Sequence, residues 1–134
     1  MRGLAQVAAV LFLGGCQLPR PATPLAPDPS ISLAGRWTIV AVNGRNTGGG
    51  ERFDIEFRPE YGVAQFGCNE GSGTYRVESG WLVIGDWIIT AAGCPGKQQF
   101  ERPGFAVLGK PLAVERHDGG VRLRGAHGSI HLVR

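Results

Sequence analysis

The sequence predicts a mainly β fold with one helix: a small antiparallel, strongly bent sheet or cracked β-barrel of about seven to nine short strands packed on that helix. Three observations lead there. The 134 residues include 22 glycines and 9 prolines, a composition that favours many turns over long helices. Apolar residues recur with a period of two in several short runs. Those runs are divided by Asn-Gly, Asp-Gly and other glycine-rich pieces suited to hairpin turns. The length suits one domain with a core of its own.

Lys and Arg number 14 against 11 Asp and Glu, a formal charge of +3. The basic residues are scattered and never form a run, so nothing points to nucleic acid as a partner.

The N-terminus reads as a leader. Arg2 precedes an apolar stretch over 4–13 whose helix would cover only ~15 Å, half of the hydrocarbon thickness of a bilayer. Residues 1–15 are therefore expected to be a signal peptide rather than a span. Leu13-Gly14-Gly15-Cys16 resembles the bacterial lipobox, in which small residues precede a cysteine whose thiol receives diacylglycerol and which becomes the first mature residue. The alternative is an ordinary signal peptide with a coincidental cysteine, but no A-x-A-type cleavage site is present. Acyl chains on Cys16 would anchor the protein at about 0.8 kcal/mol per buried methylene. Gln17 in place of Asp implies, in a Gram-negative organism, sorting to the outer membrane with the domain facing the periplasm.

Residues 16–31 are expected to be the lipidated cysteine and a linker. Five prolines lie between 18 and 30, and such a segment favours extended polyproline II with a reach of up to roughly 40 Å. The folded domain is expected over 32–134, as a monomer.

Within it, residues 36–42 alternate Trp37, Ile39 and Ala41 against Thr38, Val40 and Val42 and end in Asn43-Gly44, a strand entering a turn. Phe53, Ile55 and Phe57 alternate with Asp54, Glu56 and Arg58, the cleanest half-buried strand. A short strand over 63–66 leads into Gly67-Cys68-Asn69, with Gly71 and Gly73 expected to supply the positive φ of a tight reversal. A strand over 74–78 follows, with Tyr75 and Val77 on one face. Residues 81–84 and 87–91 read as two strands or one bent one. The single helix is expected over 95–108, with Phe100, Gly104, Val107 and Leu108 on one stripe and a kink or break at Pro103. Three short strands, 112–116, 121–124 and 129–133, close the chain through hairpin turns at 117–120 and 125–128.

Residues able to carry chemistry are few. Cys68 and Cys94 stand 26 apart in an exported chain. A disulfide between them is the economical reading, worth ~3 to 4 kcal/mol in the loop-entropy picture; two free buried thiols are the alternative. These cysteines with the distant His117, His127 and His131 lack the local spacing of a metal site, and no cofactor is predicted. There is no G-x-S-x-G or H-E-x-x-H. Ser72 reads as a turn serine. His127 and His131, near Arg122, Arg124 and Arg134, read as a solvated basic face, with an anionic head group or acidic partner as the sharper alternative. Asp54, Glu56 and Glu60 read as the outer side of a strand. Trp37, Trp81 and Trp87 most simply fill the core, and would equally line a cavity for one small apolar ligand.

From Leu33 to Arg134 the chain resembles the META domain, the HslJ-like heat-shock protein family. The matching residues are Leu33, Trp37 and Val42-Asn43-Gly44, then Gly67, Cys68 and Asn69 followed by Gly73 and Tyr75, then Thr90, Cys94 and Pro95, and finally Phe100-Glu101, Phe105, Leu108, Val121 and Leu123. The chain departs from the family pattern at Ala91-Ala92-Gly93 and at Pro103-Gly104. The resemblance implies a compact antiparallel β fold with one helix, found in bacterial envelope lipoproteins and secreted proteins of some parasites. It implies links to heat shock, drug tolerance and virulence-related traits, and no enzymatic activity. The fold is also similar to that of a lipid-binding secretin pilotin. The expectation is therefore a non-enzymatic, lipid-anchored envelope lipoprotein acting as an interaction or stress-protective module on an envelope protein or lipid partner. The alternative is a lipid-binding or pilotin-like carrier.

Overall fold

The computed structural model describes residues 15, 18, 19 and 26–134. Leu13, Gly14 and Cys16 of the lipobox lie outside the described residues, as do most of the leader and linker.

The first strand, β1 (Gly35–Val42), buries Trp37 and Ile39 as the alternation requires. It then buries Val42 in place of the expected Ala41, because a register irregularity between Ile39 and Ala41 resets which side chains face inward. Asn43 and Gly44, both left-handed at φ 51° and 75°, turn the chain into the short β2 (Arg45–Asn46). β3 (Phe53–Phe57) buries Ile55 and Phe57, and β4 (Tyr61–Phe66) buries Ala64 and Phe66.

β5 runs from Glu70 to Glu78 and therefore passes straight through the expected reversal at 71–73. The turn lies earlier, at Gly67, whose φ is +101°. Gly71 and Gly73 have no positive φ; they are glycines because a Cβ would stand 2.7 Å from Phe105 Cζ at the first and 3.0 Å from the Asp86 carbonyl oxygen at the second. Ser72 is likewise a strand residue, in register with Val63 and Ile88.

The expected 81–91 segment resolves into β6 (Trp81–Ile84) and β7 (Ile88–Ile89), both paired with β5. Trp81 departs from the expected core role: Leu82 is the inward residue of β6, and Trp81 is 44% exposed on the outer face. Trp37 is buried, and Trp87 packs edge-on against Phe105 with centroids 5.6 Å apart.

The helix α1 (Glu101–Leu108) is shorter than expected and unbroken. Pro103 falls in its first turn, where a backbone N–H has no intrahelical partner in any case, so proline costs no hydrogen bond. The first helical bond is Gly104 N–H to Phe100 O at 2.8 Å. Gly104 lets the helix sit directly on Phe66, since a Cβ would lie 2.6 Å from Phe66 Cγ and closer still to Cδ1 and Cε1. β8 (Leu112–His117), β9 (Gly120–Gly125) and β10 (Gly128–Val133) complete the chain as consecutive hairpins.

The ten strands among the described residues form one antiparallel sheet in the order β10-β9-β8-β6-β5-β4-β3-β1-β2, with β7 on β5. β1 also pairs with β10, so the sheet curls into a ring. Its thinnest seam is β6–β8, held by only the Trp81–Ala113 and Leu82–Leu112 registers. Inside the ring stand Ile39, Ile55, Phe66, Leu82, Leu123 and Leu132, each no more than 1% exposed.

The two ends of the ring are closed differently. At one end α1 and the Gly67 turn lie over Phe66, with Phe100 edge-on to Phe53 at 5.6 Å. At the other the N-terminal segment packs across the strand ends. Asp28 N–H bonds Val114 O at 2.8 Å, Ile31 and Leu33 are buried, and the Trp37 indole donates to Leu33 O at 2.8 Å. Packed structure thus reaches back of Ser32 to about Asp28, where Arg116 Nε meets the Asp28 carboxylate at 3.2 Å.

Candidate functional site

The motif residues converge at the α1 end of the ring. Cys68 and Cys94 are joined by a disulfide, with S–S 2.01 Å and Cα–Cα 5.8 Å, a separation ordinary for such bonds. It ties the turn after β4 to the irregular segment after β7.

Asn69, only 4% exposed, is the centre of this end. Its Nδ2 donates to Glu101 Oε1 at 2.8 Å and to Ala92 O at 3.2 Å. Its Oδ1 accepts from Ala92 N–H at 2.6 Å and from the Thr90 hydroxyl at 3.1 Å, and its own N–H donates to Glu101 Oε2 at 3.0 Å. Thr90 Oγ1 also accepts the Glu70 N–H at 3.1 Å. One amide therefore fastens the 90–92 segment and the first turn of the helix to the β4–β5 turn. Asn69 is not left-handed; Gly67 takes the positive φ and Asn69 contributes its side chain.

Among the family-motif residues, Tyr75 is part of the scaffold along the sheet: its hydroxyl donates to Arg58 O at 2.6 Å and its ring packs edge-on against Phe57 at 5.2 Å. Gly73 gives room to the 85–86 backbone. Thr90, Cys94, Gly67, Cys68 and Asn69 are brought together, and Pro95 lies beside Cys94 along a surface cleft. The amide oxygen and both donor hydrogens of Asn69 are engaged, and the Glu101 carboxylate receives two of its bonds. The arrangement is suited to holding three segments in register. Sequence reasoning missed the role of Glu101; the signal was its place at the start of the helix beside Phe100.

On the outer face of β8–β10 the structure holds a charged cluster that the alternating pattern did not reveal. Glu115, 1% exposed, receives Arg122 at 2.9 Å and Arg124 at 2.6 Å on its two oxygens. Burial pushes its carboxyl up, but the hydrogen bonds and charges of Arg124 and Arg122 outweigh this and hold it below the usual carboxylate range. The same bond holds the Arg124 guanidinium above its ordinary value. His131 lies in register with Arg122, its ring 4.7 Å from that of His117. Arg134 belongs to the opposite surface of the same end, over Trp37 at 4.2 Å. The acidic face of β3 is paired, as Arg36 meets Asp54 at 3.5 Å and Glu56 at 3.2 Å, and Arg58 meets Glu56 at 3.1 Å.

Comparison with known proteins agrees with this fold. The sequence model of the META domain matches residues 31–133. No curated protein sequence matches the chain. One similar solved structure, described only as an NMR structure, is 18% identical with a TM-score of 0.59 and covers 73% of this chain and 86% of its own. A second, the NMR structure of a protein from Burkholderia xenovorans, is 20% identical with a TM-score of 0.51, covering 73% and 75%. At these identities the likeness is one of fold.

Proposed function

The chain belongs to the META domain family, and from that premise we propose that it is a non-enzymatic, lipid-anchored lipoprotein of the cell envelope whose domain acts as an interaction or stress-protective module. The observation that carries this reading is the Asn69 cluster. It is the place where cysteine, asparagine, threonine and glutamate side chains converge, and its hydrogen-bonding capacity is spent on joining segments of the fold. An enzyme needs the reverse, a donor or base aimed at an open position.

Two further features support it. The N-terminal segment joins the domain at Asp28, at the end of the ring opposite the disulfide. A tether on Cys16 would then leave the disulfide end free to meet a partner. The lipid-carrier alternative asks for an apolar chamber, whereas the ring interior carries Phe66, Leu82, Leu123 and other side chains at essentially zero exposure.

The test combines fractionation and activity. Wild-type protein is expected in the envelope membrane fraction with an acylated N-terminal cysteine by intact mass, and Cys16→Ser is expected to leave that fraction. The purified protein is expected to leave ester, peptide and glycan substrates unchanged. Membrane-free wild-type protein would overturn the anchor, and turnover abolished by a single side-chain substitution would overturn the non-enzymatic reading.

A further inference from the structure

Beside the disulfide, two clefts of about 300 and 450 Å³ meet along Arg52, Gly67 and Lys97. The smaller is walled by Phe53 and Phe100, and the Arg45 guanidinium lies over the Phe100 ring at 5.1 Å. The larger continues past Cys94 and Pro95. The family-motif residues Gly67, Cys94 and Pro95 line these clefts, and Ala92 of the Asn69 cluster borders the larger one.

The clefts are built features. Arg52 has a left-handed backbone, φ 67°, and its Nη1 donates to Cys68 O at 3.2 Å, which fixes the guanidinium at the junction. Gly67 N–H returns to Arg52 O at 2.7 Å. A Cβ at Gly67 would stand 2.9 Å from Phe53 Cζ and 3.0 Å from Lys97 O, so glycine, at φ +101°, lets the Phe53 ring and the Lys97 backbone close on the turn and fix the walls of the groove. Glu51 is the acid among the described lining residues, against Arg52 and Lys97 in the clefts and Arg45 at the rim. The surface therefore combines positive charge with aromatic walls at the end of the domain opposite the N-terminal segment.

We propose that this groove binds an extended acidic segment of a partner protein, one in which apolar side chains alternate with carboxylates. In an extended chain successive side chains point to opposite sides. Carboxylates can then meet Arg52, Lys97 and Arg45 while an apolar residue lies against the half-buried Phe53, beside the Arg45–Phe100 contact. The confluence of two clefts favours a chain over a single small acid, which would occupy one of them. The inference rests on the reading of the domain as an interaction module and assigns that module its surface.

The test uses the full chain with Cys16→Ser and two probes, an end-blocked peptide of three Glu-Leu repeats and its Lys-Leu counterpart. The expected result is saturable amide shifts confined to residues 45–53, 67–68 and 94–100 with the acidic peptide only. Arg45→Glu with Lys97→Glu should weaken binding by about tenfold or more, while Arg76→Glu, at an exposed position on the sheet, leaves it unchanged. Groove shifts with both peptides alike, no saturation, or equal weakening by Arg76→Glu would overturn the proposal. If these fail while the envelope form still engages a partner elsewhere, the groove is lost and the module reading stands.

Discussion

Asn69 and Glu101 hold each other through two parallel hydrogen bonds, the Asn69 N–H to Oε2 at 3.0 Å and its Nδ2 to Oε1 at 2.8 Å, across 32 positions of sequence. This pair fastens the start of α1 to the turn after β4. Asn69→Ala would remove the bonds that Glu101, Ala92 and Thr90 make to a side chain that is itself buried, and should destabilise by about 1 to 3 kcal/mol. Asn69→Asp should be worse near neutral pH, because it sets a second carboxylate against Glu101. Urea denaturation checks both: the midpoint should fall in the order wild type, Ala, Asp, with the Ala–Asp gap narrowing as the acids protonate.

Reducing the Cys68–Cys94 bond releases a loop of 26 residues. A loss of about 3 kcal/mol is expected in the loop-entropy picture. Thermal unfolding with and without reductant should show a lower midpoint in the reduced protein, and the intact mass should change by two hydrogens, about 2 Da.

Gly71→Ala and Gly104→Ala place a methyl against Phe105 and Phe66 respectively. Each should cost about 1 to 3 kcal/mol through overpacking. Gly93→Ala, whose Cβ meets nothing within 4 Å, is the matched control and should be close to neutral. Equal effects at all three positions would contradict the close-approach explanation of the strand glycines.

Glu115 sets an acid limit. Its folded-state pKa lies below the ordinary value of 4.5, so its contribution to stability is complete above that value and is lost as pH falls through the folded value. Stability curves should decline below about pH 4.5, and Glu115→Gln should flatten part of that decline while lowering stability at neutral pH by leaving Arg122 and Arg124 without their carboxylate.

Local alternation was enough to place β3, because Phe53, Ile55 and Phe57 sit on a strand with one wet face. The hairpin turns near Asp118-Gly119 and Asn43-Gly44 were legible from left-handed residue types. Glycines misled where they serve another purpose: Gly71 and Gly73 make room for Phe105 and the 85–86 backbone, a requirement set by distant residues. Pro103 misled because a proline's effect depends on where the helix starts. The β1–β10 closure, the Asn69–Glu101 pair and the Arg52–Lys97 groove all depend on partners far apart in sequence, which no local pattern encodes; the burial of Glu115 rests instead on Arg122 and Arg124 across the β8–β9 hairpin. The cluster around Cys68 was legible as a family turn, and the cysteine pairing as a disulfide.

The central claim is that the disulfide end of the ring is the surface through which the domain meets its partner. A photo-crosslinking residue placed at Lys97, in cells carrying the otherwise wild-type chain, tests it most directly against the same residue placed at Arg76 on the sheet. The account predicts a discrete protein adduct from position 97 that is absent from position 76 and is lost when Arg45→Glu is added. No adduct from position 97, or equal adducts from both positions, would contradict it.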